Sequence, residues 1–276
     1  MRILVQRYSA LGDIALLLPV LAALKRDQPA VEIHLVSRPF IKSLLGDLDI
    51  HFHAADLNDR HKGFLGLWKL AQTLKREIKP DLVIDAHNVL RSRILNSFFR
   101  LMGLPVFRIN KERAARKALV HRENKIVQPL KHSSIKYAET LHRAGLQFNF
   151  SEKDTALYPL KEDNSVSEVP SPAAKFHLGI APMAKHKAKR YPLAQMEKVL
   201  AHFGANKDYH FYLFGGPEEV VDLEKLAQAA QINYSIIAGK FRFPQEIAIM
   251  RKLHLMLAMD SSNMHLAALA GIKIIS

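Results

Sequence analysis

At 276 residues the chain has room for one large or two ordinary domains, and at 49% hydrophobic with one Trp it has the composition of a globular protein. It contains no Cys, which excludes a disulfide framework, a thiolate metal site and a Cys nucleophile, and fits a reducing cytoplasm. A formal charge of +14 points to an anionic partner.

The elements alternate from the start. Ile3–Val5 predicts a strand, Ser9–Asp13 a polar turn, and Ile14–Lys25 an apolar helix. The run Ile14–Leu24 resembles a signal-peptide core, but Asp13 opens it, Pro19 interrupts it and a strand precedes it. It is also too short to span a bilayer. Strand Glu32–Val36, helix Pro39–Leu45, strand Ile50–Ala54 and helix Gly66–Ile78 follow. Leu82–Ile84 is a buried strand ending in Asp85-Ala86-His87-Asn88, then come helix Arg91–Leu101 and strand Pro105–Ile109.

Lys161–Ala174 is polar, with two Pro and three Ser, and reads as a linker between a first domain, 1–160, and a second, 175–276. Beyond it the alternation restarts. The strands are His177–Ala181, His210–Phe214, Tyr234–Ala238, Leu255–Met259 and Ile272–Ile275. The helices are Leu193–His202, Val220–Ala230, Pro244–Lys252 and Met264–Ala270. This pattern specifies an α/β protein with parallel sheets.

The charge is uneven. Between Arg91 and Arg143 there are thirteen Lys/Arg against three Glu, an excess of ten. Such a stretch suits nucleic acid, an anionic membrane surface or a phosphorylated glycolipid, and no recognised nucleic-acid motif accompanies it. A solvated basic face is the plainer reading.

Four sites fall just after strands, where ligands of open α/β sheets bind. Asp13 starts the first helix; it is either an N-cap or a carboxylate able to take a proton from a hydroxyl. Lys185, Lys187, Lys189 and Arg190 crowd one loop, solvated or set against a phosphate. Gly215 and Gly216 allow a tight turn, and Glu218 or Glu219 can accept from ribose hydroxyls or serve as a plain helix-dipole partner. Asp260, Ser261, Ser262 and His265 open the last helix. Its unpaired N–H groups, two hydroxyls and an imidazole suit a diphosphate, although Asp and Ser also cap helices without a ligand. Asp260 itself would meet sugar hydroxyls, since like charges repel. Asp47-Leu48-Asp49 mimics a metal-binding D-x-D, but it falls in a turn and reads as solvated acids. The scattered His show no metal spacing, so no metal site is expected.

Four motifs recur in order: R-x-L-x-x-R-x-S-x-x-G-D from Arg2, K-R-Y-P from Lys189, F-G-G-P-E-E from Phe214, and D-S-x-x-M-H-L-A-A-L from Asp260. Together they resemble glycosyltransferase family 9, the ADP-heptose:lipopolysaccharide heptosyltransferases. The resemblance implies a GT-B architecture, two Rossmann-like domains with parallel sheets facing across a cleft. It implies metal-independent, inverting transfer from an ADP-sugar, with no cofactor, to a Kdo-lipid A or heptosyl acceptor. Asp13 falls on the family's catalytic base and Lys189 on its diphosphate contact. Asp260, Ser261, Ser262 and His265 fall on its donor motif, and Gly215, Gly216, Glu218 and Glu219 on the nucleoside side. The basic stretch, with Arg113, Arg116 and Lys117 at its centre, then serves an anionic glycolipid acceptor at the inner-membrane surface. The expected protein is a cytoplasmic, peripheral monomer that binds no nucleic acid.

The chain departs from the pattern in three places. Met183 and Ala184 stand where the family often has Ser or Thr, Ser262 stands where it usually has Gly, and further elements expected after the last strand are absent, leaving the second domain incomplete. A member using another nucleotide-sugar and a non-catalytic nucleotide- or polyanion-binding module are the competing readings.

Overall fold

The computed structural model describes residues 1–121, 125, 127–151, 153–154 and 173–276. Most of the expected linker, 161–172, therefore lies outside the described residues, as do Arg122 and Glu123 of the basic stretch. The chain divides into two compact units, Met1–Asp154 and Thr155–Ser276.

In the first unit β1 (Arg2–Gln6), β2 (Glu32–Ser37), β3 (His51–Ala54), β4 (Leu82–Asp85) and β5 (Val106–Arg108) form one sheet in the order β3-β2-β1-β4-β5. All pairs are parallel, with Leu4 of β1 set against His34 and Val83. A parallel sheet covered on both faces needs strands that are apolar throughout, and β1 reads RILVQ with all but its first residue buried. Helices α2 (Gly63–Ile78) and α3 (Leu90–Leu101) seal one face over Leu4, Val36, Leu70, Leu74, Val83 and Phe99. Helix α1 (Leu11–Asp27) packs with α5 (Ser133–Arg143).

The second unit repeats the plan. Strands β6 (Phe176–Ala181), β7 (Tyr209–Leu213), β8 (Tyr234–Ile236), β9 (Leu255–Ala258) and β10 (Ile274–Ile275) lie in the order β10-β9-β6-β7-β8, all parallel. Helices α6 (Leu193–Gly204), α7 (Val220–Ala229), α8 (Phe243–Met250) and α9 (Ser262–Ala270) connect them. Gly179 in β6 is needed for close packing: a Cβ there would come within 2.4 Å of the Met256 sulfur.

Several elements differ from the sequence expectation. The first helix begins at Leu11, so Asp13 lies inside its first turn and not in the preceding loop. Pro39–Leu45 is a 3-10 helix. Helices α4 (Arg113–Leu119) and α5 were not expected. Helix α4 buries none of its residues, and α5 buries Ser134, Lys136 and Thr140 beside Tyr137 and Leu141, which blurs its apolar period.

Candidate functional site

The strand orders place a topological switch point in each sheet, where successive connections leave in opposite directions and open a crevice beyond the carboxyl ends of two adjacent strands. In the first unit it falls between β1 and β4, and in the second between β6 and β9. Arg7 pairs with Asp13 at the first, and Lys189 with Asp260 at the second.

At the first switch point Arg7 follows β1 and is buried, with its Nη1 donating to the Ala86 carbonyl after β4. Its Nη2 reaches Asp13 Oδ2 at 2.5 Å. The same carboxylate oxygen accepts from the Ala10 N–H at 3.3 Å, while the Asp13 side chain stays 40% exposed. Asp13 is thus both an N-terminal helix acceptor and an ion-paired carboxylate at the mouth of a crevice. The Arg7 guanidinium lies 5.5 Å from the Tyr137 ring centre. Its Nε is buried with no hydrogen-bond partner among the described residues, and so is Nδ1 of His87.

His87 lies in the Asp-Ala-His-Asn turn after β4, and its Nε2 lies 3.4 Å from Ser9 Oγ. Burial, reinforced by the Arg7 and Lys111 charges, pushes its imidazole down to about 4, so it is neutral at physiological pH. Burial and the neighbouring Arg7 and Arg113 charges likewise lower Lys111. Beneath them Asp85 is fully buried. It accepts from the backbone N–H of His87 (2.9 Å) and Asn88 (2.7 Å), from Ser92 Oγ (3.0 Å) and from Asn96 Nδ2 (2.6 Å). Asn96 in turn accepts from Gln6, which accepts from the Tyr8 hydroxyl. This network fixes the β4 turn and hence His87.

The basic residues of the first unit divide by role. Arg116 and Lys117 on α4 are exposed. Arg113 Nη2 donates to the Asn88 carbonyl, tying α4 to the β4 turn. Lys136 is buried and paired with Glu112 at 2.8 Å, so it adds no free charge to the surface.

At the second switch point the structure brings together two of the expected residues. Lys189 ends a one-turn 3-10 segment after β6, Asp260 follows β9, and Lys189 Nζ lies 2.5 Å from Asp260 Oδ2. Both remain about half exposed. Ser261 is the N-cap of α9, yet its hydroxyl makes no capping bond; it is buried and without a partner among the described residues. Ser262 opens the helix and His265 lies in its first turn. Met183 and Ala184 are buried.

The two glycines after β7 leave room for the acids that follow. Glu219 Oε2 accepts from the Gly216 N–H at 2.9 Å, and a Cβ on Gly215 would come within 2.6 Å of that oxygen. A Cβ on Gly216 would come within 2.5 Å of the Glu218 carboxylate. Glu219 therefore holds its own turn, and Glu218 is the more exposed of the two acids.

Sequence reasoning missed Arg7, Asp85, His87 and Glu246. Glu246, on α8, is buried, and desolvation pushes its carboxyl up to about 7. Arg7 sits inside the quoted N-terminal motif, and Asp85 and His87 in the quoted strand-end tetrapeptide. No periodic signal distinguishes a buried Arg or His from a surface one.

A family profile, glycosyltransferase family 9 (heptosyltransferase), matches residues 67–276. The chain belongs to glycosyltransferase family 9. The matched span contains Lys189 and Asp260 but begins after Asp13 and Arg7, so the family assignment does not depend on them. No curated protein matches by sequence. Among solved structures, a family 9 glycosyl transferase from Veillonella parvula superposes with a TM-score of 0.74 at 20% identity, covering 99% of this chain and 80% of that one. The E. coli heptosyltransferase WaaC, solved with ADP-2-deoxy-2-fluoro heptose, gives 0.69 at 14%, covering 99% and 87%. E. coli ADP-heptose LPS heptosyltransferase II gives 0.63 at 18%, covering 99% and 83%. These likenesses establish the fold: α/β, GT-B-like, with two parallel five-stranded sheets. The family 9 chain is a glycosyltransferase. Among its described residues no helix is long and apolar enough to cross a membrane, and no group of three His, Asp or Glu is placed to hold a metal ion.

Proposed function

We propose that the chain transfers a heptose from ADP-heptose to an anionic lipopolysaccharide inner-core acceptor, with inversion and without a metal ion. The observation that carries this reading is the Lys189–Asp260 pair at the switch point of the second sheet. A cation and a carboxylate 2.5 Å apart, beside the N-terminus of α9, match the two ends of a nucleotide-sugar. Lys189 and the α9 N–H groups take the diphosphate, and Asp260 accepts from sugar hydroxyls. The unpartnered Ser261 hydroxyl supplies a further donor. Gly215, Gly216 and Glu218 serve the nucleoside, with Glu219 bracing the turn.

Asp13 takes the proton from the acceptor hydroxyl as the new glycosidic bond forms and the ADP bond breaks. ADP leaves as a diphosphate whose growing charge Lys189 neutralises, so no covalent enzyme intermediate is needed. An anionic acceptor is supported by the unspent Arg7 Nε and His87 Nδ1 and by the Lys111 ammonium close to Asp13. Arg116 and Lys117 extend that positive field outward, consistent with work at a cytoplasmic, anionic membrane surface.

A different nucleotide-sugar is the competing reading. It is favoured by the buried Met183 and Ala184, which remove hydroxyls from the diphosphate loop. Turnover assays with ADP-heptose and with other nucleotide-sugars, each against lipid A-type acceptors, decide between the two. Activity only with ADP-heptose supports the proposal, and activity only with another donor contradicts it.

A further inference from the structure

The outer face of the α2–α3 layer carries an apolar strip that the proposed chemistry does not use. Leu90 and Leu101 of α3 are 76% and 80% exposed. They lie eleven residues apart, about three turns, and so share one side of the helix. Ile94, partly buried, stands between them on that side. Helix α2 packs alongside and adds Phe64 and Leu65, 64% and 73% exposed. The two helices are stitched by edge-on rings: Phe64 and Trp68 stand 4.9 and 5.0 Å from Phe98. Single exposed apolar residues need no explanation, but four on two adjacent helices form a patch.

The charges on the two helices are mostly of one sign. Helices α2 and α3 together hold six Lys/Arg and one acid, Glu77, which pairs with Arg76. Lys69 and Arg100 are exposed at the margins. Ordinary solvated helices alternate charges at i,i+4 spacing, and these do not. Apolar side chains rimmed by long cationic ones, on a surface too short-spanned to cross a bilayer, are the makings of an interfacial contact.

We infer that the α2–α3 face docks on an anionic lipid bilayer, with Phe64, Leu65, Leu90 and Leu101 entering the headgroup boundary and the flanking Lys/Arg pairing with lipid phosphates. It gives residues to the membrane-surface part of the proposed function, on which it rests. It concerns neither switch point.

The chain's single Trp reports on this surface, because the partly buried Trp68 packs on Phe98 beside Phe64. The full chain is titrated with vesicles of equal parts phosphatidylglycerol and phosphatidylcholine, and with phosphatidylcholine alone. Sedimentation and Trp68 emission are read at low and high salt. The expected result is a blue shift and co-sedimentation with the anionic vesicles, weakened by salt. Leu65→Ser/Leu101→Ser should weaken binding at least about tenfold, and Lys69→Glu/Arg100→Glu should remove the preference for anionic lipid. Melting temperature and ADP affinity should stay as in the parent. Parent protein that ignores anionic vesicles, or variants that bind like the parent, would overturn the inference. So would a lipid-free dimer of the parent that the leucine variant breaks, which would give the patch to a second copy. Donor turnover on a water-soluble acceptor is measured in parallel. If no donor is turned over while vesicle binding follows the patch, the heptosyl-transfer reading fails and the docking surface stands.

Discussion

The Arg7 guanidinium closes on Asp13: a buried cation after β1 holds the half-exposed carboxylate of α1 by one oxygen, 2.5 Å away, and anchors itself to the carbonyl of Ala86 after β4. Arg7 therefore links the two strands of the switch point to the residue assigned as base. Arg7→Met should misplace Asp13 and reduce turnover by roughly 10²-fold, the cost of a displacement of about an ångström. Arg7→Lys should restore part of it, since a charge remains. Turnover and ADP affinity are measured together. A drop in ADP affinity with kcat unchanged would assign Arg7 to binding and not to positioning.

In the second unit, Lys189→Ala should weaken ADP-sugar binding by roughly tenfold or more, the size of a charge-assisted hydrogen bond. Lys185→Ala should have a smaller effect, because among the described residues it is Lys189 that meets Asp260. Calorimetric titration of ADP into both variants checks this. Equal small losses would return the whole loop to a solvated role.

Much of the architecture was legible in the sequence. The strands of both sheets are short apolar runs such as Ile3–Val5 and Leu255–Met259, and parallel sheets demand that composition. Lys189 and Asp260 were named from the K-R-Y-P and D-S-x-x-M-H-L-A-A-L motifs and from their places after strands. The pairing between them was not, since it depends on β6 and β9 being neighbours, which strand order alone decides. Arg7, Asp85 and His87 were quoted in motifs without roles, because their importance lies in burial and, for Arg7 and His87, in contacts across seventy or more residues. Ser261 reads as a cap, and its hydroxyl does not cap.

Glu246 gives the second unit a distinctive pH response. Its carboxyl is protonated in the folded state up to about pH 7 and ionises near 4.5 when exposed. The folded state thus binds the extra proton between those values, and the stability this contributes is lost as pH rises through 7. Glu246→Gln should flatten that slope and raise stability at pH 8 by on the order of 2–3 kcal/mol. Denaturant unfolding of the second unit from pH 5 to 8 is the check, and a parallel slope in both proteins would refute it.

The first unit should respond in the opposite sense. Burial pushes His87 and His34 down to about 4, with His53 and His51 adding to the effect on His34. Unfolding exposes both and lets them take up protons near 6.5, so stability falls as pH drops from 6.5 to 4. His34→Gln should reduce this acid sensitivity while leaving ADP binding intact. Unfolding midpoints at pH 7 and pH 5 measure it, and an unchanged difference between the two pH values would contradict it.

The central claim is that this family 9 chain moves heptose with Asp13 as its base, and the most direct test is turnover of ADP-heptose on a lipid A-type acceptor by the parent and by Asp13→Asn. The account predicts activity in the parent, a fall of roughly 10²–10⁴-fold in the variant, as for loss of a general base, and unchanged ADP affinity. Near-normal turnover by Asp13→Asn would contradict it.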